Sequence, residues 1–390
     1  MNDFSYLKES DVYLDSACQS LRPEPVIEAL NAYYKEFNSC GERVKYPWGE
    51  TTDRKVNATR DKVLKYLGLK KKDYFVSFTL NTTYGLNLLL SQFDAQKAGV
   101  KKIITSDIEH NSPFLSTIAF SRRTALPREV IERNDDGSLP LDVDFDRALV
   151  VVNAASNIDG RRLENIKELE KTVHQNGGFL IIDAAQAMAH SKDILEKVPA
   201  DAICFSAHKM YAPSLGGLVV RRDLLDYLET SFVGGGMVSD VDRDTYDLLS
   251  VEPEHAYTKF ESGLQAWGEI VALGAAIDWL EGLKKSDHKN LEDNYTELYN
   301  FLKTREKVHV INQAPNPTIS IYVDKAETGF DSHFLGSALA DQGIMTRTGY
   351  FCVHYYLDHV KHYPPLLRFS LGYHNRPSDI ERVKSALANL

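Results

Sequence analysis

The chain has 390 residues, 43% of them hydrophobic and 26% charged, a balance typical of a globular protein with two domains and not of a disordered one. Its net charge of −10 argues against a protein that binds nucleic acid, whose backbone attracts basic surfaces. Four cysteines without a Cys-x-x-Cys pair exclude a disulfide scaffold and a cysteine-rich zinc site, and we predict no bound metal. No apolar run approaches the roughly 20 residues that cross a membrane. The polar N-terminus lacks the pattern of a signal peptide, so we expect a cytoplasmic protein.

Short apolar runs alternate with helical segments through the first two thirds of the chain. Strands are predicted at 75–80, 101–105, 148–153, 178–182, 202–205 and 217–220, and a helix at 165–175. Apolar strands that alternate with helices predict a largely parallel sheet with helices on both faces. We therefore predict a large α/β domain over residues 16–265.

The pattern of predicted helices and strands changes in the last third of the chain. Helices are predicted at 265–283 and near 291–304, strands at 318–323 and 367–371, and a last helix that opens with a capping box from Ser378. This mixture predicts a smaller α+β domain over residues 266–390. We expect residues 1–15 to pack on it.

The most informative segment holds an acidic residue and a lysine after two successive predicted strands. Asp183 ends the first strand, and Lys209 follows the second within Ser-Ala-His-Lys. Parallel strands bring their carboxyl ends to one edge of a sheet, where α/β proteins bind ligands. Pyridoxal phosphate needs such a pair, a lysine for the Schiff base and a carboxylate that keeps the pyridine nitrogen protonated. Each residue alone is better explained by a loop cap or a solvated charge, but together they predict this cofactor.

A site for the cofactor's phosphate is predicted where a strand gives way to a helix. Asn81, Thr82 and Thr83 stand at this junction. Hydroxyls and free amides at a helix N-terminus suit a phosphate, although the same residues also serve as an ordinary N-cap. Ser206 and His208 are further candidate donors, with ordinary loop hydrogen bonds as the alternative.

Two polar residues follow other predicted strands. His110 comes after the strand at 101–105 and is a candidate to stack on a flat cofactor ring. Asn157 comes after the strand at 148–153 and is a candidate to contact the ring hydroxyl. A histidine in a loop and an asparagine in a turn are the alternatives.

Late in the chain, an arginine and a thiol share a glycine-containing loop. Arg347 and Cys352 suggest a thiolate activated by positive charge, although most thiols are inert. Arg368 lies within an apolar strand and suits a carboxylate, either that of an amino acid substrate or that of an internal salt bridge.

The remaining cysteines are less informative. Cys204 lies inside a predicted strand and is expected in the core. Cys18 and Cys40 belong to N-terminal loops that we expect near the site.

Together these residues resemble the class V, fold-type I pyridoxal-phosphate enzymes, and within them the SUF-type cysteine desulfurase and selenocysteine lyase group. The resemblance runs over nearly the whole chain. Its most specific motifs are Asp-Ala-Ala-Gln at 183–186, Ser-Ala-His-Lys at 206–209, Gly-Gly-Gly-Met at 234–237, Phe-Glu-Ser-Gly at 260–263 and Arg-Thr-Gly-x-x-Cys at 347–352. It implies a large domain with a mostly parallel, seven-stranded sheet flanked by helices, and a smaller C-terminal α+β domain.

The resemblance also implies a role for each candidate residue. Toward the cofactor, Lys209 would form the Schiff base, Asp183 would pair with the pyridine nitrogen and Gln186 with the ring oxygen. His110 would stack on the ring, Asn157 would lie beside it, and Thr83, Ser206 and His208 would bind the phosphate, next to the candidate Thr82. Toward the substrate, Arg368 and Asn157 would bind the carboxylate, and Cys352 would take the sulfur as a persulfide with Arg347 beside it.

Three stretches depart from the pattern of the family. Asn81 replaces a glycine, and Leu264-Gln265 replace the Thr-Pro whose threonine reaches the partner subunit's phosphate. The segment 42–46 keeps only Arg43 of a His-Arg-Gly-x-His motif near the dimer interface.

The resemblance thus implies a homodimeric enzyme that converts L-cysteine to L-alanine and passes the Cys352 persulfide to an acceptor protein, with iron–sulfur cluster assembly as the expected use of the sulfur. Selenocysteine is an alternative substrate. One alternative is another class V reaction, namely that of an aminotransferase, a selenocysteine or C–S lyase or an epimerase, and such a reaction would not need Cys352. The other alternative is an interaction protein without a cofactor, and the presence of Lys209 and Asp183 argues against it.

Overall fold

The computed structural model describes residues 3–41, 44–249 and 253–388. In these ranges the strands, in chain order, are β1 (Val12–Tyr13), β2 (Tyr74–Thr79), β3 (Lys102–Ser106), β4 (Arg128–Ile131), β5 (Ala148–Asn153), β6 (Phe179–Asp183), β7 (Ala202–Ser206), β8 (Gly216–Arg221), β9 (Val238–Val241), β10 (Tyr246–Leu248), β11 (Val308–Val310), β12 (Thr318–Val323), β13 (Ile344–Met345), β14 (Arg347–Gly349) and β15 (Leu366–Ser370).

The helices in the same ranges are α1 (Glu24–Glu36), α2 (Pro47–Tyr66), α3 (Thr82–Gln92), α4 (Asn111–Thr124), α5 (Ile166–Gln175), α6 (Ala187–His190), α7 (Lys192–Leu195), α8 (Trp267–Glu281), α9 (Lys285–Lys303), α10 (Lys325–Thr328), α11 (Ser332–Ala340) and α12 (Pro377–Ala386). None of the helices in the described ranges has both the length and the apolar composition that crossing a bilayer requires.

A seven-stranded sheet forms the centre of the fold, in the order β2-β8-β7-β6-β5-β3-β4. Strand β8 runs antiparallel to β2 and β7, whereas the other pairs are parallel. The prediction of a mostly parallel, seven-stranded sheet is confirmed. The predicted strand at 148–153 coincides with β5, and the other five predicted strands of this sheet agree with the structure to within one residue at each end.

The register of the sheet aligns the strand ends that carry polar residues. Asn153 pairs with Asp183, and Asp183 pairs with Cys204, so β5, β6 and β7 end at one edge. Strand β2 is antiparallel to β8, which is antiparallel to β7, so β2 also ends at this edge. Helices α3 and α4 begin just beyond it. The fold therefore gathers four strand ends and two helix N-termini around one space.

Alternate residues of the central strands face two different apolar cores. In β5, Val150 and Val152 belong to one core and Leu149 and Val151 to the other. Helices α1, α2, α5 and α8 pack in the first core, and α3 and α4 in the second. Cys204 is fully buried in the second core, where the sequence predicts it. Both faces of the sheet are thus covered, as a parallel sheet requires.

A second, antiparallel sheet has the order β11-β12-β15-β14 and pairs Arg347 with Arg368. The N-terminal segment lies against this part of the chain, since β1 pairs with β13 and Asp15 forms a bridge with Ser370. The seven-stranded sheet falls within 16–265 and the four-stranded sheet within 266–390. The domain boundaries themselves stay a prediction.

The last helix begins before the predicted residue. Helix α12 starts at Pro377, and Asp379 Oδ2 accepts a hydrogen bond from the Arg376 amide at 3.0 Å. Proline suits the first helical position because its φ is fixed there and its missing N–H is not needed. The predicted start at Ser378 is therefore wrong: Ser378 lies inside the first turn, and the capping carboxylate is Asp379 rather than Glu381.

Glu261 of the Phe-Glu-Ser-Gly motif forms a buried ion pair with α2. Its two carboxylate oxygens each lie 2.7 Å from a guanidinium nitrogen of Arg60. Glu261 Oε1 also accepts a hydrogen bond from the Phe78 amide at 2.6 Å. The Arg60 guanidinium lies over the Tyr257 ring, 3.8 Å from its centroid. These contacts join α2, β2 and the segment before α8.

Replacing Glu261 with glutamine leaves the Arg60 charge buried without its counter-charge. We expect the free energy of unfolding, measured by urea denaturation, to fall by about 3–5 kcal/mol, because removing one partner of a buried ion pair has a cost of this order. Asp293→Asn, which breaks an exposed pair with Lys289, is the control and should change little. A Glu261→Gln variant as stable as the wild type would contradict this interpretation.

Candidate active site

A cavity of about 280 Å³ opens at the carboxyl edge of the seven-stranded sheet. It brings together every residue that the sequence analysis selected for cofactor, substrate or catalysis. These residues are Thr82, Thr83, His110, Asn157, Asp183, Gln186, Ser206, His208, Lys209, Arg347, Cys352 and Arg368. Cys18, which the sequence places near the site without a role, also lines the cavity, as do Ser112 and Asn153, which were not selected from the sequence. The candidates therefore share one site, whereas their individual roles stay predictions.

Asp183 and Lys209 are positioned by neighbouring parallel strands. Asp183 ends β6, and Lys209 ends a short 3-10 turn that directly follows β7. Asp183 Oδ1 accepts a hydrogen bond from the Ala185 amide at 2.8 Å, and no donor in the described chain reaches its second oxygen. Burial raises the pKa of Asp183, while the Ala185 amide and Lys209 oppose the shift. Burial lowers the pKa of Lys209, and the Asp183 charge opposes it. Asp183 is thus buried and Lys209 half-buried, and the carboxylate has capacity for a further partner.

The N-terminus of α3 offers an anion site beside this pair. The Thr82 amide donates to Ser206 Oγ at 3.0 Å, and the Tyr84 amide donates to Asn81 Oδ1 at 2.9 Å. In the described chain, the Thr83 amide between them has no acceptor. A helix N-terminus with a free amide favours an anion because the N–H groups and the helix dipole both point toward it. Asn81 is thus an N-cap as well as a lining residue of the cavity.

His110 is held as a neutral ring by the start of α4. Its Nδ1 accepts a hydrogen bond from the Ser112 amide at 3.0 Å, which places the ring proton on Nε2. Ser112 Oγ lies 2.8 Å from the same nitrogen and 2.5 Å from Thr83 Oγ1. Burial and then the charge of Lys209 lower the pKa of His110 to about 3. The role of Ser112 could not be predicted from the sequence, because a serine in the first turn of a helix is common and does not indicate a site.

A buried carboxylate below the cavity fixes the end of β5. Glu109 accepts hydrogen bonds from the Asn153 amide at 2.7 Å and from Arg133 Nη2 at 2.9 Å. Burial raises the pKa of Glu109 to about 7. Asn153 Oδ1 is buried without a hydrogen-bond partner and belongs to a lining residue. This acceptor, the Thr83 amide and the second Asp183 oxygen are polar groups that a bound molecule would satisfy.

Arg368 is fully buried and crosses from β15 to the cavity wall. Its Nη2 lies 3.0 Å from Asp15 Oδ1, and its Nη1 donates to the Asn157 carbonyl at 2.9 Å. Its Nε has no partner in the described chain. The internal salt bridge is therefore present and the guanidinium also lines the cavity, whereas its binding of a substrate carboxylate stays a prediction.

The loop that carries Cys352 has an unusual backbone. Phe351 and Cys352 have φ angles of 46° and 59°, a left-handed conformation that residues other than glycine seldom adopt. Asn157 Nδ2 donates to the Phe351 carbonyl at 2.8 Å, and the Asn111 amide donates to the Cys352 carbonyl at 2.6 Å. The half-buried thiol is thus held at the cavity by contacts of its loop with Asn157 and with the first residue of α4.

Arg347 contacts a different thiol from the one expected. Its Nη1 donates a hydrogen bond to Cys18 Sγ. Cys18 lines the cavity together with Cys352, whereas Cys40 is exposed and is not among the lining residues. The expectation that both N-terminal cysteines lie near the site is therefore met by Cys18 alone.

The neutral histidines make stability depend on pH. The folded-state pKa values of His110 and His208, about 3 and about 4, lie below the roughly 6.5 of an unfolded histidine, so the unfolded chain binds more protons between these values. Their contribution is present above pH ~6.5 and is lost as the pH falls toward 4. His174, whose pKa is raised by Asp201, acts in the opposite direction, as do Glu109 and Asp183, whose pKa values burial raises. The lowered pKa values of His190 and His374 act in the same direction as those of His110 and His208. We expect the free energy of unfolding to decrease on acidification.

The His110→Asn variant separates this effect from capping, because asparagine is also a good N-cap. Urea denaturation at pH values from about 7 to about 5 should show a smaller decrease for the variant than for the wild type. Equal decreases in the two proteins would show that folding does not lower the pKa of His110.

Comparisons with known proteins place the chain in a family. The model of the family "Aminotransferase class-V" matches residues 12–383. A probable cysteine desulfurase of Chlamydia muridarum is 30% identical, with 99% of this chain and 96% of the relative covered. A cysteine desulfurase of Cronobacter sakazakii is 27% identical over 97% and 93%. The apo structure of a cysteine desulfurase from Thermococcus onnurineus superposes with a TM-score of 0.86 at 26% identity, covering 97% of this chain and 94% of that one. The chain belongs to the class V aminotransferase family.

Proposed function

We propose that the protein is a pyridoxal-phosphate-dependent cysteine desulfurase, which takes the sulfur of L-cysteine onto Cys352 and releases L-alanine. The observation that carries the proposal is the convergence of Asp183, Lys209 and Cys352 on one cavity. The cysteine desulfurases among its relatives, matched over nearly their whole length, support it.

The polar groups of the cavity fit pyridoxal phosphate. The Thr83 amide with the hydroxyls of Thr82 and Ser206 would hold the phosphate at the N-terminus of α3. The open oxygen of Asp183 would face the pyridine nitrogen, and Lys209 would hold the carbonyl carbon covalently. When bound there, the cofactor draws electrons from the α-carbon of an amino acid. Gln186, His110, His208 and Asn157 complete the set of residues proposed to contact it.

Lys209 and His110 are suited to distinct tasks. Because burial favours the uncharged amine of Lys209, its Nζ is able to accept a proton from the substrate and to return it. His110 stays neutral next to the charges of Lys209, Arg368 and Arg347. A neutral imidazole stacks on an aromatic ring without adding a further positive charge to the cavity.

Cys352 supplies the nucleophile. Its Sγ attacks the sulfur of the bound cysteine, so that a sulfur–sulfur bond forms while the carbon–sulfur bond of the substrate breaks. The carbon skeleton takes up protons, for which Lys209 Nζ is the carrier, and leaves as alanine. Arg368, with the Asn157 segment, would bind the substrate carboxylate, and Arg347 adds a second guanidinium at the cavity.

We further propose a homodimer that passes its sulfur to an acceptor protein for iron–sulfur cluster assembly in the cytoplasm. Exposed apolar side chains support a subunit contact, with Leu264 at 77%, Leu80 at 68% and Trp48 at 50% exposure. Arg43, which the sequence places near this interface, lies outside the described residues. Free cysteines at all four positions suit a reducing compartment. Light scattering that reports a single subunit in the active enzyme would contradict the dimer.

The cofactor assignment is tested by reduction with borohydride and peptide mapping. We expect one pyridoxyl adduct, on Lys209, and none in the Lys209→Ala variant. Lys259, a second lysine whose pKa burial lowers, provides the matched control, and Lys259→Ala should keep the adduct. An adduct on another lysine, or no adduct after incubation with the cofactor, would defeat the assignment.

The desulfurase reaction is tested with Cys352→Ala. The variant should keep the Lys209 adduct but lose alanine formation from L-cysteine on the order of 100-fold or more, because the nucleophile for the sulfur is gone. Alanine and sulfide are assayed together in the presence of a reductant. Cys204→Ala, a truncation in the core, should lower stability by about 1 kcal/mol and leave the activity in place. A Cys352→Ala variant that desulfurates at the wild-type rate would point to a lyase or aminotransferase.

A further inference from the structure

The cavity holds a second thiol that the proposed reaction does not use. Cys18 and Cys352 both line it, although they are more than three hundred residues apart in the sequence. Both thiols are half-buried, and both lie close enough to Lys209 to oppose the lowering of its pKa by burial. The other two cysteines are unlike them, since Cys40 is exposed and away from the cavity and Cys204 is buried in β7.

The backbone around Cys18 is fixed by residues of the same site. The Cys18 amide donates to the Asp15 carbonyl at 3.0 Å, and the carboxylate of Asp15 holds Arg368. The carbonyl of Ala17 accepts a hydrogen bond from Gln186 Nε2 at 2.7 Å. Cys18 is thus part of the cavity wall rather than of a loose terminal segment.

Arg347 connects the segment that carries Cys352 with Cys18. It belongs to β14, just before the turn that carries Cys352, and its guanidinium donates to Cys18 Sγ. A positive group beside the sulfur is the feature that distinguishes reactive cysteines from inert ones. A thiol with a basic neighbour therefore faces the cavity in which, on the proposed function, a persulfide forms.

We propose that Cys18 is a second sulfur carrier of this enzyme, which takes the outer sulfur of the Cys352 persulfide inside the cavity. The proposal rests on the proposed desulfurase function, since Cys352 must first receive the sulfur.

The transfer is balanced without an oxidant or a reductant. The thiolate of Cys18 attacks the outer sulfur of the persulfide, and a bond forms between Cys18 Sγ and that sulfur. The bond from the same sulfur to Cys352 Sγ breaks, and Cys352 leaves as a thiolate that takes the proton released by Cys18. One persulfide replaces another, and Cys352 is free for a second molecule of cysteine.

The proposal is tested by locating the sulfur. The holoenzyme is incubated, without a reductant, with L-cysteine in excess over the two thiols. The protein is then alkylated, digested and mapped by mass spectrometry, and the alanine formed is measured in the same samples. Wild-type protein should carry an additional sulfur atom on the peptides of both Cys18 and Cys352. Cys18→Ser should carry it on Cys352 alone and take up about half as much sulfur in total. Cys40→Ser is the matched control and should give the wild-type pattern.

The outcomes separate the relay from the reaction that feeds it. Alanine formation with sulfur on Cys352 alone in the wild type would overturn the relay and leave the desulfurase function intact. Sulfur on Cys18 in the Cys352→Ala variant would overturn the relay as well, because Cys352 would not be its donor. A disulfide between Cys18 and Cys352 with release of sulfide would show attack on the inner sulfur and would also overturn it. If the wild type forms no alanine, the desulfurase function fails and the relay fails with it.

A second measurement does not depend on turnover. In the protein without cofactor, Arg347→Met should slow the alkylation of Cys18 by iodoacetamide by about three- to tenfold, because the positive neighbour of the sulfur is removed. The alkylation of Cys40 in the same sample should not change. An unchanged rate at Cys18 would show that Arg347 does not activate this thiol, and would overturn the proposal.

Discussion

The site depends on the parallel register of three neighbouring strands. Because Asn153, Asp183 and Cys204 lie side by side across β5, β6 and β7, the residues that follow these strands converge on one edge without any further device. Burial of this edge then sets the chemistry of the site. It removes Asp183 from water and leaves Lys209 half-buried, so their charges act on each other and on the molecule that the cavity binds.

The electrostatic character of the cavity follows from the same burial. Lys209, Arg347 and Arg368 line it, and the histidines beside them stay neutral because burial, and then the neighbouring charge of Lys209, lower their pKa values. Such a cavity suits a molecule with a phosphate and a substrate with a carboxylate. The Asp15 carboxylate offsets part of this charge and fixes Arg368 at the same time.

The sequence predicted what local patterns determine. The continuous apolar run at 148–153 marks a strand buried on both faces, so its ends were found, and the motifs around Asp183 and Lys209 led to the family that the comparisons confirm. The start of α12 differs from the prediction because the residues from Ser378 match a capping-box pattern, whereas the helix begins one residue earlier, at Pro377. The contact of Arg347 with Cys18 and the network through Ser112 depend on tertiary packing, for which no local pattern exists.

The pairing of β2 has a consequence for the order in which the molecule is built. Strand β2 is at the edge of its sheet, and its one strand neighbour in the described chain is β8, which begins at Gly216. A ribosome therefore synthesises Thr82 and Thr83 long before the strand that fixes them, and Arg368 meets Asp15 only when the chain is nearly complete. Contacts of such long range form late and slowly. A nascent chain thus lacks the C-terminal part of the pocket wall, which includes Arg368, until β15 has been synthesised.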